Sequence, residues 1–161
     1  MARELLIAWA GRRRRDAWER LCADYRERIG RWAPVRELVV KARGRGGAGE
    51  GRERRAAEGE ALLGVLPDPC WIVALDPRGD EVSTEELARR LGTVRRDWPH
   101  AVAFVLGSDL GLDPAVLDAA RWRLSLSRLT FPHELARLLV YEQLYRVLSI
   151  DAGIDYHRGS L

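Results

Sequence analysis

Short apolar runs alternate along this chain with longer segments of helical periodicity, and that alternation restricts the fold more than any single motif does. Leu5–Ala10, Val35–Val40, Trp71–Asp76 and Ala101–Leu106 have the length and composition of buried strands. From about Arg14 to Ile29, Trp18, Leu21, Cys22, Tyr25 and Ile29 recur at three- and four-residue steps, the mark of a helix with one buried face. Arg52–Leu66 reads as a second helix, stopped by Pro67-Asp-Pro69. Ser83-Thr-Glu-Glu86 is a capping box that opens a third, running to about Asp97. Strands joined by helical crossovers lie parallel, so the expected architecture is α/β, an open, mostly parallel sheet with helices on both faces. With 161 residues, 47% of them hydrophobic, the chain suits one domain over residues 1–161.

The chemistry gathers around Phe104-Val-Leu-Gly-Ser-Asp-Leu-Gly-Leu112, a strand that runs into a turn punctuated by Gly107 and Gly111 and then into a helix opened by Asp113-Pro114. The glycines allow positive φ and leave no Cβ against exposed N–H groups, and the ends of parallel strands are where α/β proteins bind ligands. A short strand, Arg121–Leu126, leads through the loop Ser127-Arg-Leu-Thr-Phe131 to Pro132 and the longest helix, His133–Ile150. That helix is apolar around most of its surface, so it belongs to the core or to a subunit interface. Beyond it, Tyr156-His157-Arg158 sets a phenol, an imidazole and a guanidinium side by side.

The formal charge is only +3, but the arginines are bunched at Arg12 to Arg15 and again at Arg43, Arg45, Arg52, Arg54 and Arg55. Such clusters suit either a polyanion partner or a solvated basic face. The segment Arg43–Gly51 contains GxGxxG at Gly44, Gly46 and Gly49, yet it lacks the immediate helix and the well-placed acid that a dinucleotide site requires. Contact with nucleic-acid phosphate is the preferred reading of this loop. Cys22 and Cys70 are far apart and show no metal-ligand spacing, so no metal is expected. No run is apolar and long enough to span a bilayer, and a cytoplasmic protein with no membrane partner is expected.

The strand and turn Phe104–Leu112, the loop Leu124-Ser-Leu-Ser-Arg-Leu-Thr-Phe-Pro-His133, the helix segment Tyr141-Glu-Gln-Leu-Tyr-Arg146 and the ending Tyr156-His157-Arg158 together resemble the RlmH family of large-subunit ribosomal RNA methyltransferases, within the SPOUT superfamily. The resemblance covers nearly the whole chain and is strongest after Trp71. It implies a C-terminal trefoil knot, S-adenosylmethionine as methyl donor, a homodimer, and methylation of N3 of a pseudouridine in 23S ribosomal RNA within the assembled ribosome. By matching position it implies a cofactor pocket lined by Leu75, Gly107, Leu126, Ser127, Arg128, Leu129, Thr130 and Phe131. It also assigns Tyr156, His157 and Arg158 to the target nucleotide, with His157 a candidate base. The family usually carries two adjacent glycines where this chain has Gly107-Ser108, which sets a Cβ near the expected cofactor path, and Gly159-Ser-Leu161 extends beyond the usual end. Two competing readings are a basic ribosome-binding protein without catalysis and an NAD enzyme built on Gly44–Gly49.

Overall fold

The computed structural model describes residues 3–41 and 48–158, with Ala48, Gly49, His157 and Arg158 as backbone only. The elements follow in the order β1 (Leu5–Gly11), α1 (Ala17–Ile29), β2 (Val35–Lys41), α2 (Ala48–Val65), β3 (Cys70–Glu81), α3 (Thr84–Asp97), β4 (Ala101–Leu106), α4 (Pro114–Ala119), β5 (Trp122–Ser125) and α5 (His133–Asp151), then a 3₁₀ turn at Asp155–Arg158. The five strands pair in the order β2-β1-β4-β3-β5, every pairing parallel.

Alternation along β1 sends Leu5, Ile7 and Trp9 to one face and Leu6, Ala8 and Ala10 to the other, and all six are buried. The first set packs with Phe104 against Cys22 and Ile29 of α1, Leu87 and Leu91 of α3, and Tyr141, Leu144 and Leu148 of α5. The second packs against Leu62 of α2 and Val116 and Leu117 of α4. A strand covered on both faces has to read as an unbroken apolar run, which is why β1 and β4 were legible in the sequence.

Three boundaries differ from the sequence-based expectation. Pro77-Arg-Gly79 does not end its strand: β3 continues to Glu81, and Leu75 and Asp80 both stand opposite Leu124 of β5 across a bulge. Gly79 is required there, because a Cβ would lie 2.6 Å from the carbonyl carbon and oxygen of Arg123. Helix α2 starts at Ala48, so Gly49 and Gly51 are helical; Arg43, Gly44, Arg45 and Gly46 lie outside the described residues. Helix α1 starts at Ala17, where Asp16 caps it by accepting the Glu19 N–H at 3.0 Å.

One charged group penetrates the sheet-helix layer. The Glu37 side chain on β2, 2% exposed, is held by Arg26 of α1 at 3.0 Å, Arg137 of α5 at 3.0 Å and Arg13 at 3.2 Å. Glu19 braces the same two helices, reaching Arg137 at 3.0 Å and Arg26 at 3.4 Å. The Arg137 guanidinium lies over the Trp9 ring at 4.4 Å, so its charge meets a π face as well as two carboxylates. Replacing Glu37 with Ala would leave clustered guanidinium groups without their shared counter-charge. The expected cost is about 3–5 kcal/mol in denaturant-induced unfolding, and a loss below about 1 kcal/mol would show that the network does not brace the fold.

Candidate functional site at the strand ends

Because β4, β3 and β5 are adjacent and parallel, the loops leaving their carboxyl ends meet on one side of the sheet. They enclose a groove of about 530 Å³ between Leu75 and Pro77 at the bulge of β3, Leu106–Asp109 and Gly111 at the end of β4 and in its turn, and Thr130–His133 with Ala136 at the start of α5. A narrower crevice of about 120 Å³ continues beneath Leu124–Ser127 and Leu129–Phe131, sharing Leu75, Pro77, Thr130, Phe131 and Ala136 with it. The groove thus unites Leu75, Gly107, Leu126, Ser127, Leu129, Thr130 and Phe131. Arg128 is exposed and borders neither space. Asp76, Pro77, Asp109, His133 and Ala136 were not singled out from the sequence, although the end of a buried strand, at Asp76, is a position where ligand contacts are expected.

The two glycines of the turn do different work. Gly111 has φ +74°, whereas Gly107 is not at positive φ, contrary to the sequence-based expectation. Gly107 is needed for close approach, since a Cβ there would lie 2.6 Å from the carbonyl carbon and oxygen of Gly111. Ser108 closes the turn: the Gly111 N–H donates to its carbonyl at 3.0 Å and the Leu110 N–H to its Oγ at 3.3 Å. The Ser108 hydroxyl donates to Glu58 Oε2 of α2 at 2.7 Å, so its polar end is directed toward α2. In the loop after β5, Ser125 Oγ donates to the Ser127 carbonyl at 3.1 Å and Ser127 Oγ accepts the Leu129 N–H at 3.0 Å. These bonds hold a bend that leaves Leu129 73% exposed at the mouth of the crevice.

Asp76 is the buried acid of the groove. Burial pushes its carboxyl pKa up, but the Arg78 N–H at 3.0 Å and guanidinium at 3.3 Å outweigh burial, and the net displacement is downward. Asp76 is therefore ionised at neutral pH and ion-paired through both oxygens with Arg78.

Tyr156 sits elsewhere. Its ring meets Tyr145 edge-on at 4.6 Å, its hydroxyl is 3.3 Å from that of Tyr25, and the guanidinium groups of Arg146 and Arg28 lie 4.8 and 5.9 Å from its centroid. Tyr156 is thus half-buried against α1 and α5 and takes part in packing within the subunit. The α5 residues of this cluster, Tyr145 and Arg146, stand about three turns beyond Ala136 and His133 of the groove, roughly 14–20 Å along the helix. The side chains of His157 and Arg158 lie outside those described. Arg12 to Arg15 are exposed after β1, with Arg12 and Arg14 bordering a small pocket beside Trp9, Trp18 and His133.

Two outcomes follow from this geometry. Gly107→Ala is expected to destabilise more than Gly111→Ala, because the first forces a Cβ into backbone atoms, while the second meets open space and costs about 1–2 kcal/mol for its φ alone; thermal unfolding of both variants checks the order. Asp76→Asn is expected to lose stability at neutral pH. The native carboxylate stabilises above the unfolded Asp pKa of about 4 and loses that advantage as pH falls through its lower folded value, so the deficit should shrink in acid.

Comparison with known proteins agrees with the fold and shows the family. Residues 4–157 match the family model described as "Predicted SPOUT methyltransferase". Proteins named ribosomal RNA large subunit methyltransferase H are similar along most of their length. The one from Gloeobacter violaceus is 42% identical over 92% of this chain and 95% of its own, and that from Solidesulfovibrio magneticus is 40% identical over 94% and 96%. The one from Xanthobacter autotrophicus is 37% identical over 96% and 99%. A crystal structure titled a probable methyltransferase from Bordetella pertussis Tohama I superposes with TM-score 0.56 at 17% identity, over 91% of this chain and 95% of that one, which supports the fold. The five-stranded parallel sheet, the groove beyond β3, β4 and β5, and these matches lead to one statement: the chain belongs to the SPOUT methyltransferase family.

Proposed function

We infer that this methyltransferase takes S-adenosylmethionine into the groove and methylates N3 of a pseudouridine in 23S ribosomal RNA, acting on the assembled ribosome as a cytoplasmic homodimer. The observation that carries the reading is the convergence of Leu75, Gly107 and the 126–131 loop on one groove in a chain of this family. The trefoil knot belongs to the same reading, with the loops after β3, β4 and β5 as its crossing strands. Leu75, Leu126, Leu129 and Phe131 offer apolar surface for the faces of an adenine ring, and the backbone of the two loops offers donors and acceptors for its edge. When bound, S-adenosylmethionine supplies an electrophilic methyl group.

The protein then has to hold the imide N3 in line with that methyl group and accept its proton. His157 is the proposed base, Tyr156 the stacking partner and Arg158 the phosphate clamp. Tyr156 packs against Tyr145, about three turns of α5 from its own groove, and in this reading the tail of one subunit completes the groove of the other. The exposed Trp18 and Leu21 of α1 favour such a dimer. Arg12 and Arg14 would meet ribosomal phosphate, together with the 43–55 arginines.

A mixed-dimer assay tests the arrangement. Gly107→Val and a chain ending at Asp155 should each be inactive on ribosomes alone, and should recover about a quarter to half of the native rate when co-assembled. Recovery requires a whole groove and a whole tail to meet across the interface. Lack of any recovery in a confirmed heterodimer would mean that the tail serves its own subunit. Ribosome affinity should also fall steeply with salt, and Arg12→Gln/Arg14→Gln should flatten that slope without changing S-adenosylmethionine affinity.

A further inference from the structure

Glu58 is out of place by ordinary rules. It stands on α2 one turn before the buried Leu62, it is 2% exposed, and its described partner is the Ser108 hydroxyl at 2.7 Å. Its other oxygen, Oε1, is buried without a hydrogen-bond partner among the described residues. A buried carboxylate held on one oxygen costs stability relative to an apolar residue of similar size, so the fold alone does not account for it. Groups that break the packing rules in this way concentrate where function needs them.

The surroundings indicate which function. Ser108 lines the groove between Gly107 and Asp109. Its Oγ is the middle of a relay in which the Leu110 N–H donates to Ser108 Oγ and the Ser108 hydroxyl donates to Glu58. A hydroxyl has one proton, and Glu58 takes it, which leaves the oxygen lone pairs free for Leu110; the direction of the relay is thereby set. The relay ties the turn to α2, so the turn cannot move away from that helix without stretching it. Helix α2 itself is seated by Gly59, where a Cβ would lie 2.7 Å from the Asp113 Cβ, so Glu58 is presented from a fixed support.

We propose that Glu58 is a positioning residue for methyl transfer: acting through Ser108, it holds the 107–111 turn in the pose that receives the methyl donor. This rests on the reading of the groove as the S-adenosylmethionine site. Glu58 acts through the Ser108 hydroxyl, and the pair adds a side-chain bond that a glycine at position 108 could not make.

The test uses the full-length protein carrying Ser108→Ala, Glu58→Ala or Glu58→Gln, with calorimetric S-adenosylmethionine affinity, KM for each substrate, and thermal unfolding. Ser108→Ala removes one oxygen and should fold. It is expected to raise the Kd and KM for S-adenosylmethionine about tenfold while leaving the KM for ribosomes within twofold. Glu58→Ala should match it, the double variant should be no worse than either single one, and Glu58→Gln, whose amide oxygen still accepts from Ser108, should recover most of the affinity. The proposal is overturned if Ser108→Ala binds S-adenosylmethionine within twofold of the native protein, or if Glu58→Gln is as impaired as Glu58→Ala. A native protein that does not bind S-adenosylmethionine would instead overturn the reading of the groove, which separates the two failures.

Discussion

The Glu37 carboxylate is the constraint on which the arrangement of the groove depends. It is a charge on the face of β2, and it gathers Arg26 from α1 and Arg137 from α5 at 3.0 Å each. Apolar packing of α5 on the sheet is non-directional and would tolerate sliding by part of a turn. A two-carboxylate, two-guanidinium lattice does not tolerate it, because each bond has a length and an angle. Arg137 follows Ala136, a wall of the groove, and lies one helical turn from His133, another. The position of the wall is therefore set from β2, an edge strand that contributes nothing to the groove itself.

The opposite wall is set from the other layer. Helix α2 lies on the far face of the sheet, yet through Glu58 and Ser108 it reaches the turn after β4. The groove is thus held by α5 from one layer and by α2 from the other, and the strand ends supply the floor. A ligand enclosed there meets walls that were ordered on folding, so less conformational entropy is lost on binding.

Much of this was legible in the sequence, and the exceptions have physical causes. Strands buried on both faces announce themselves, as β1 and β4 did, and the three- and four-residue spacing of α1 gave its buried face. The imperfect alternation of β2 had a reason that spacing could not reveal: Glu37 points inward to meet arginines 11 and 100 residues distant. Pro77-Arg-Gly79 has the composition of a chain reversal, but the same residue types build a bulge when the next strand crowds the backbone, and only the proximity of Arg123 decides between them. The start of α2 inside a glycine-rich run goes against local helix propensity, which is why the sequence placed it later. Resemblance located the groove residues, but not Asp76 or His133. The partner of Ser108 was hidden because it lies 50 residues away on a helix read only as polar then apolar.

The central claim is that the groove beyond β3, β4 and β5 is the seat of the methyl donor. Hydrogen–deuterium exchange of the protein with and without S-adenosylmethionine tests it most directly, because backbone amides report local ordering. The account expects added protection at residues 107–111 and 126–131, and little change in α3 or at the opposite, amino-terminal ends of the strands. Protection confined to residues 48–55, with the 107–111 and 126–131 loops unchanged, would contradict it.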